Sequence, residues 1–274
     1  MNRTELLRAV AEGRVAPDEA LLRLHAGEVA ELRDRARLDP ERRDRIGLPE
    51  VVLADGKSPV DVAAIVATLL DTTGSCCISR MRRRHRRAVD GVVASSGATL
   101  VAYGGRAARL LAASVREEPR RGLIGLLAAG TSDIDALEEA RMVCEAAGCE
   151  TRSAVDVGVA GIRRLFEPLA GLVAADVDAI VVAAGMDGAL ASVVAGLAGV
   201  PVIGLPVSTG YGAGARGRAA LLSMLQSCAP GLTVVNIDNG VGAGAAAALV
   251  SLRRSGVTRG AAAVAAPAEQ TAPR

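Results

Sequence analysis

Aromatic side chains are nearly missing from this chain of 274 residues, which has no Trp, one Phe (Phe166) and two Tyr (Tyr103 and Tyr211). Modules that bind single-stranded nucleic acid stack bases on aromatic rings, so that class is poorly supplied. There is no excess of charge either: 32 Lys plus Arg against 30 Asp plus Glu leaves +2. Such a balance gives no global attraction to nucleic acid or to a membrane surface. No apolar run reaches the ~20 residues that cross a bilayer. The amino terminus leads into a charged amphipathic stretch where a secretory signal would be apolar. The five cysteines are odd in number and include no Cys-x-x-Cys pair. Cys76 and Cys77 are adjacent, Cys144 and Cys149 flank a predicted helix end, and Cys228 stands alone. That pattern reads as reduced cytoplasmic thiols and not as a disulfide framework or zinc site. Histidine is limited to His25 and His85.

What is abundant is Ala, Val and Leu, with 31 Gly and half the chain hydrophobic. A wholly disordered chain is excluded on those grounds, and the length points to one or two domains. Residues 1–118 are predicted as a small α/β domain. Charge alternates with Leu at helical spacing to about Leu38, and Pro17-Asp18-Glu19 suits a first helical turn. Strands are expected at 50–53 and 98–103, with an apolar helix running from Pro59 to Leu70. The charged stretch 117–121 ends this part. From 122 to 254 the short apolar runs 123–129, 179–183, 200–205 and 232–235 alternate with helix-length segments. Strands apolar on both faces belong in a parallel sheet covered by helices. Residues 255–274 read as a disordered tail.

Three of these strands lead into small and polar residues: Gly130-Thr131-Ser132-Asp133, Gly185-Met186-Asp187-Gly188 and Ser208-Thr209-Gly210-Tyr211-Gly212. In open α/β sheets, ligands bind at the carboxyl ends of strands, where helix amino termini attract anions. A small phosphorylated ligand is the expectation. Together with Asp156-Val157-Gly158-Val159-Ala160-Gly161, Ser227-Cys228-Ala229 and Val235-Asn236-Ile237-Asp238-Asn239-Gly240, these loops resemble the LarB family, motif by motif and in order. Arg42, Arg45, Gly47, Pro49-Glu50-Val51-Val52 and Gly56-Lys57 resemble it as well, so the likeness runs from about residue 38 to 250.

The resemblance implies an α/β fold: a three-layer parallel sheet, PurE-like and flavodoxin-like, with a smaller amino-terminal α/β domain. It implies a cytoplasmic homo-oligomer, an octamer, acting in nickel-pincer cofactor biosynthesis. The reaction implied is carboxylation, with CO2 or bicarbonate as co-substrate, of C5 of the pyridinium ring of nicotinic acid adenine dinucleotide. Hydrolysis of the phosphoanhydride then gives AMP and pyridinium-3,5-biscarboxylic acid mononucleotide. The alternative is the aminoimidazole ribonucleotide carboxylase or mutase of purine biosynthesis, to which the carboxyl-terminal half is similar.

Residues enter this chemistry as follows. Cys228 matches the family position for a thiolate that adds to the ring, and Asp187 is the candidate base for the C5 proton. Gly130, Thr131, Ser132, Asp133, Ser208, Thr209, Gly210, Tyr211 and Gly212 are candidate phosphate and ligand contacts, with Gly185, Met186 and Gly188 beside them. Arg163 and Arg164 suit an oxyanion. Asp156, Asp238 and Asn239 are placed around the same cleft, and Asp133 is the candidate ligand for Mg2+.

Plainer readings stand beside these. Cys228 also fits a small thiol packed near Pro230-Gly231, Asp133 an acid favouring a helix dipole, and Asp156 a cap. Gly210 and Gly212 can serve only to shape a turn. Cys228 follows a helix whose end belongs at the strands' amino edge, so its role leans on a site built between subunits. The basic run Arg80 to Arg87 reads as a solvated face or subunit contact, against a nucleic-acid-binding regulator.

Two departures from the family are visible. Asp187 stands where the family usually has Glu, a side chain shorter by a bond of ~1.5 Å, and a misplacement of ~1 Å costs on the order of 100-fold in rate. Arg163 stands where the family commonly has His, and an arginine moves no proton at neutral pH. The purine mutase needs a histidine in that segment, which counts against the alternative.

Overall fold

The computed structural model describes residues 3–26, 30–32, 36–115, 120–214 and 216–255. The expected linker lies partly, and the expected tail almost wholly, outside them. Helices α1 (Arg3–Ala11) and α2 (Pro17–Ala26) open the chain, α2 starting at the predicted proline. Helical spacing was expected to continue to Leu38. Instead β1 (Ala30–Leu32) and β2 (Ala36–Leu38) pair antiparallel, Glu31 opposite Arg37. Pairing with a partner strand decides such three-residue elements, which local spacing does not register.

After the short helix α3 (Arg42–Ile46) comes a four-stranded sheet of β3 (Val51–Leu53), β4 (Ser75–Ser79), β5 (Thr99–Tyr103) and β6 (Ala107–Leu111), in the order β3-β4-β6-β5. Helices α4 (Pro59–Thr73) and α5 (Arg83–Ser96) link its strands. Ser58 caps α4 by accepting from the Asp61 amide at 3.1 Å, and Pro59 occupies the first turn, where a missing N–H is harmless. The sheet packs one face on these helices through Val62, Ile65, Val66, Leu69 and Val89. The basic run forms the exposed first turns of α5, with Arg82 paired to Asp55 and Arg86 to Asp90. His85 in its midst is fully buried. Its Nδ1 accepts from the Arg82 amide and its Nε2 lies 3.1 Å from Lys57 O, so this histidine is a structural cap.

The second sheet is wholly parallel: β7 (Leu123–Ala128), β8 (Glu150–Ala154), β9 (Ala179–Ala184), β10 (Val202–Pro206) and β11 (Leu232–Val234). Its order, β8-β7-β9-β10-β11, is the flavodoxin-like 2-1-3-4-5 arrangement. Helices α6 (Ile134–Ala146) and α10 (Gly240–Arg254) cover one face; α7 (Arg163–Ala174), α8 (Ala189–Leu197) and α9 (Arg218–Leu225) belong to the other. Every residue of β9 is buried, as its apolar run predicts for a central strand. The α/β class and the flavodoxin-like sheet therefore match expectation.

Helix α10 lies so close to α6 that a Cβ on Gly244 would overlap Ala140 O, and one on Gly240 would overlap Ala136 O. Cys144 Sγ donates to Gly244 O at 3.4 Å across the same contact. Gly244→Val must push the helices apart, and overpacking of this kind costs about 1–3 kcal/mol. Thermal unfolding of this variant should show the loss; an unchanged midpoint would contradict the close crossing.

Candidate active site

The strand order reverses between β7 and β9, and the loops that diverge there open a cleft. Gly130, Ser132 and Asp133 follow β7, Gly158–Ala160 follow β8, Gly185–Asp187 follow β9 and Thr209–Tyr211 follow β10. Together they line a cavity of about 480 Å³. Its walls are largely apolar (Ala129, Val159, Ala160, Ala184 and Leu190), and polar atoms come from Ser132, Arg164, Asp187 and Thr209.

Asp133 holds this arrangement together. Only 3 % exposed, it accepts the Gly130 amide at 2.9 Å on Oδ2 and the Thr209 hydroxyl at 2.8 Å on Oδ1. The Gly185 backbone also bonds to it. One carboxylate thus ties together the loops after three strands. Burial raises its pKa, opposed by those same bonds. The tie requires close approach: a Cβ on Gly185 would stand 2.5 Å from Thr209 O. Met186 takes the left-handed region at φ 48°, and such non-glycine strain clusters at functional sites.

Asp187 is exposed at the rim, where its Oδ1 accepts the Ala189 amide at 3.3 Å. Tyr211, 82 % exposed, also lines the cavity. Arg164 lines the cavity and is ion-paired with Asp156, which places Asp156 as its orienting partner. A second cavity, of about 340 Å³, adjoins the first through Ser132 and Thr209, and Ser208 and Asp238 line it.

Other expected residues lie elsewhere. Thr131, Arg163, Gly188 and Gly212 line neither cavity. Asn239 is the amino-terminal cap of α10, its side chain accepting from Gly242 N at 2.9 Å. Cys228 follows α9 and precedes β11, which puts it at the amino edge of the sheet, opposite the loops of the cavity within one chain. Among the free cysteines it alone is exposed; Cys76, Cys77, Cys144 and Cys149 are buried. Burial pushes the Cys77 thiol up to about 12 and raises the other three buried thiols too.

Asp133, the residue expected to hold Mg2+, already accepts a protein hydrogen bond on each of its oxygens. Among the described residues no group of three or more His, Cys, Asp or Glu could hold a metal ion. No described helix is long and apolar enough to cross a membrane.

Two family models match the chain: "LarB/PurE-like N-terminal domain" over residues 30–112 and "AIR carboxylase" over residues 123–267. An uncharacterized protein of Methanocaldococcus jannaschii is 37 % identical over 260 residues, covering 91 % of this chain and 97 % of its own length. The chain belongs to the LarB-like carboxylase family. Its carboxyl-terminal half is PurE-like, and a carboxylase-type activity follows from the family. What sequence reasoning missed in this LarB-like protein is the part played by the amino-terminal half: Asp55, Arg80, Arg106 and, from α6, Asp135 and Glu139 line the second cavity. Arg80 follows β4, a strand whose Ser-Cys-Cys-Ile-Ser sequence gives no clear periodicity, so its position could not be read.

Asp133→Ala leaves the Gly130 amide and the Thr209 hydroxyl without their acceptor and should cost about 1–3 kcal/mol. Asp133→Asn keeps an acceptor and a donor in place and should fold. Because burial raises the folded pKa of Asp133, its contribution to stability is complete below the ordinary carboxylate range and is lost as pH rises through the raised value. Denaturant titrations should therefore show Asp133→Asn gaining on the unaltered protein from about pH 4 upward. A pH-independent difference would contradict a strained, buried carboxylate.

Proposed function

We propose that this protein carboxylates C5 of the pyridinium ring of nicotinic acid adenine dinucleotide and hydrolyses its phosphoanhydride, as a cytoplasmic homo-oligomer. The products are AMP and pyridinium-3,5-biscarboxylic acid mononucleotide, in nickel-pincer cofactor biosynthesis. The observation that carries the reading is the pairing of a LarB-type amino-terminal match with a PurE-like half in one chain. The cleft adds chemical support. Its apolar walls suit a flat ring, and Asp187 and Arg164 stand at its edge.

The ring is electron-poor and does not attack CO2 unaided. The Cys228 thiolate adds at C4, forming an S–C bond while an electron pair moves onto the ring nitrogen. The resulting enamine makes C5 nucleophilic, and C5 forms the bond to CO2. Asp187 then takes the C5 proton, the C4–S bond breaks, and the thiolate leaves with its electron pair as aromaticity returns. A thiolate suits both attack and departure. In the hydrolysis, water forms a bond to the adenylyl phosphorus, the bridging P–O bond breaks, and the mononucleotide phosphate leaves as AMP forms.

Since Cys228 lies at the opposite edge of its own sheet, the thiol reaches the ring from a second copy of the chain. Leu222 and Leu225 on α9, 60 % and 62 % exposed, lie just before Cys228 and supply apolar surface for that association. An octamer is the assembly implied by the family.

The purine alternative has the AIR carboxylase match over residues 123–267 in its favour. Against it, Arg163 replaces the histidine it needs, and no histidine lines either cavity.

Incubation with the dinucleotide and labelled bicarbonate, followed by mass spectrometry, should give a labelled mononucleotide plus AMP. Cys228→Ala should lose ring carboxylation altogether. A variant with the original turnover would remove the thiol from the mechanism, and conversion of aminoimidazole ribonucleotide would select the alternative.

At position 187, Asp187→Asn should lower carboxylation by on the order of 100-fold or more, the usual weight of a general base. Asp187→Glu, which restores the family's longer carboxylate, should keep the activity or raise it. Equal rates for Asp187→Asn and the unaltered protein would exclude this carboxylate as the base.

A further inference from the structure

The cavity between the two halves has no role in the ring chemistry just described, yet it is built from both. Asp55, Arg80 and Arg106 come from loops of the amino-terminal sheet, while Ser208 and Asp238 come from loops of the parallel sheet. Its acids already have partners. Asp55 is paired with Arg82 at 2.7 Å, and that ion pair holds its carboxyl below the usual range. Asp135 accepts the Gly105 amide at 2.9 Å, Asp238 the Ser208 amide at 2.8 Å, and Glu139 the Ser79 hydroxyl at 2.6 Å.

The guanidinium groups differ. Arg80 Nη2 donates to Asp238 O at 2.7 Å, and its guanidinium lines the cavity within electrostatic reach of Glu139 and Asp55. Arg106 sits in the exposed turn between β5 and β6; it makes no side-chain hydrogen bond or close ion pair among the described residues, and the acids within its electrostatic reach are Asp55 and Glu139. Arg80 and Asp238 both take the left-handed region, at φ 56° and 55°, so two strained residues are held together across the halves. Neither Arg80 nor Arg106 falls within the AIR carboxylase match, whereas both fall within the LarB/PurE-like N-terminal match.

Ser132 and Thr209 form a wall common to both cavities. A ligand seated in the apolar cavity therefore has a polar continuation past them, where two guanidinium groups meet a ligand that is anionic on that side. Arginine is suited to bidentate contact with phosphate oxygens. We infer that the cavity between the halves is a second subsite, in which Arg106 and Arg80 bind the far phosphate and nucleoside of a dinucleotide. The inference rests on the dinucleotide reading above and adds to it a role for the amino-terminal half: selecting a dinucleotide over a mononucleotide.

The test is calorimetric titration of the full-length protein with nicotinic acid adenine dinucleotide and, separately, nicotinic acid mononucleotide, in CO2-free buffer. Arg106→Ala should weaken dinucleotide binding by on the order of 10-fold, the loss expected for a hydrogen bond to a charged group. Mononucleotide binding should stay unchanged, and Arg106→Lys should lose less than Arg106→Ala. Thermal unfolding checks that the exposed substitution leaves folding intact. Equal effects on both ligands, no effect on either, or no dinucleotide binding by the unaltered protein would overturn the subsite. If Arg106→Ala changes nothing while labelled product still forms, the subsite fails and the carboxylase reading stands. If dinucleotide affinity depends on Arg106 but no labelled product forms, the carboxylase reading fails and the subsite stands.

Discussion

Helix α6 is covered on nearly every side, and the rest of the molecule is arranged around that burial. Leu137, Ala140 and Cys144 face the parallel sheet and α10. Met142, Val143 and Ala146 pack with Cys77, Tyr103 and Ala107 of the four-stranded sheet. Of its thirteen residues only Asp135 is exposed. A helix with so little solvent face cannot be stable alone; it needs apolar neighbours on both sides. The hydrophobic effect therefore brings the two sheets together, and specific polar bonds set how they meet. Tyr103 donates to Glu145 at 2.8 Å and Ser79 to Glu139 at 2.6 Å, both across the junction. These bonds fix the loops of one sheet over the carboxyl ends of the other.

The chemistry of the site follows from that placement. Asp133 sits where the chain enters α6, so the helix that joins the two halves also begins at the carboxylate tying the cleft loops together. The apolar cavity is the property of the parallel sheet alone, while the polar one needs both halves. The thiols are divided as well. Four are buried, and desolvation favours their protonated form, while the one exposed thiol, Cys228, lies at the edge of the sheet opposite its own cleft.

Strands of the parallel sheet were legible because burial on both faces leaves uninterrupted apolar runs, as at Ala179–Ala184. The edge strand Glu150–Ala154 was not, since Glu-Thr-Arg-Ser-Ala carries no such mark and is shaped by its neighbour β7. In the amino-terminal half, β4 and β6 were illegible because their alternation is masked by residues that face α6 instead of water. Glycine and hydroxyl residues announced the cleft loops. Their division of labour was hidden: Asn239 caps α10, and Asp133 ties the cleft loops together. Arg106 gave no signal at all, because only tertiary packing brings its turn beside Ser132 and Asp238.

The central claim is that ring chemistry needs a thiol from one copy and a carboxylate from another. Subunit complementation tests it most directly, by co-assembling Cys228→Ala chains with Asp187→Asn chains and assaying labelled product. Sites shared between copies should regain activity in the mixture, since some will receive an intact Cys228 and an intact Asp187 from different chains. Mixed assemblies as inactive as either parent would contradict a site built between subunits.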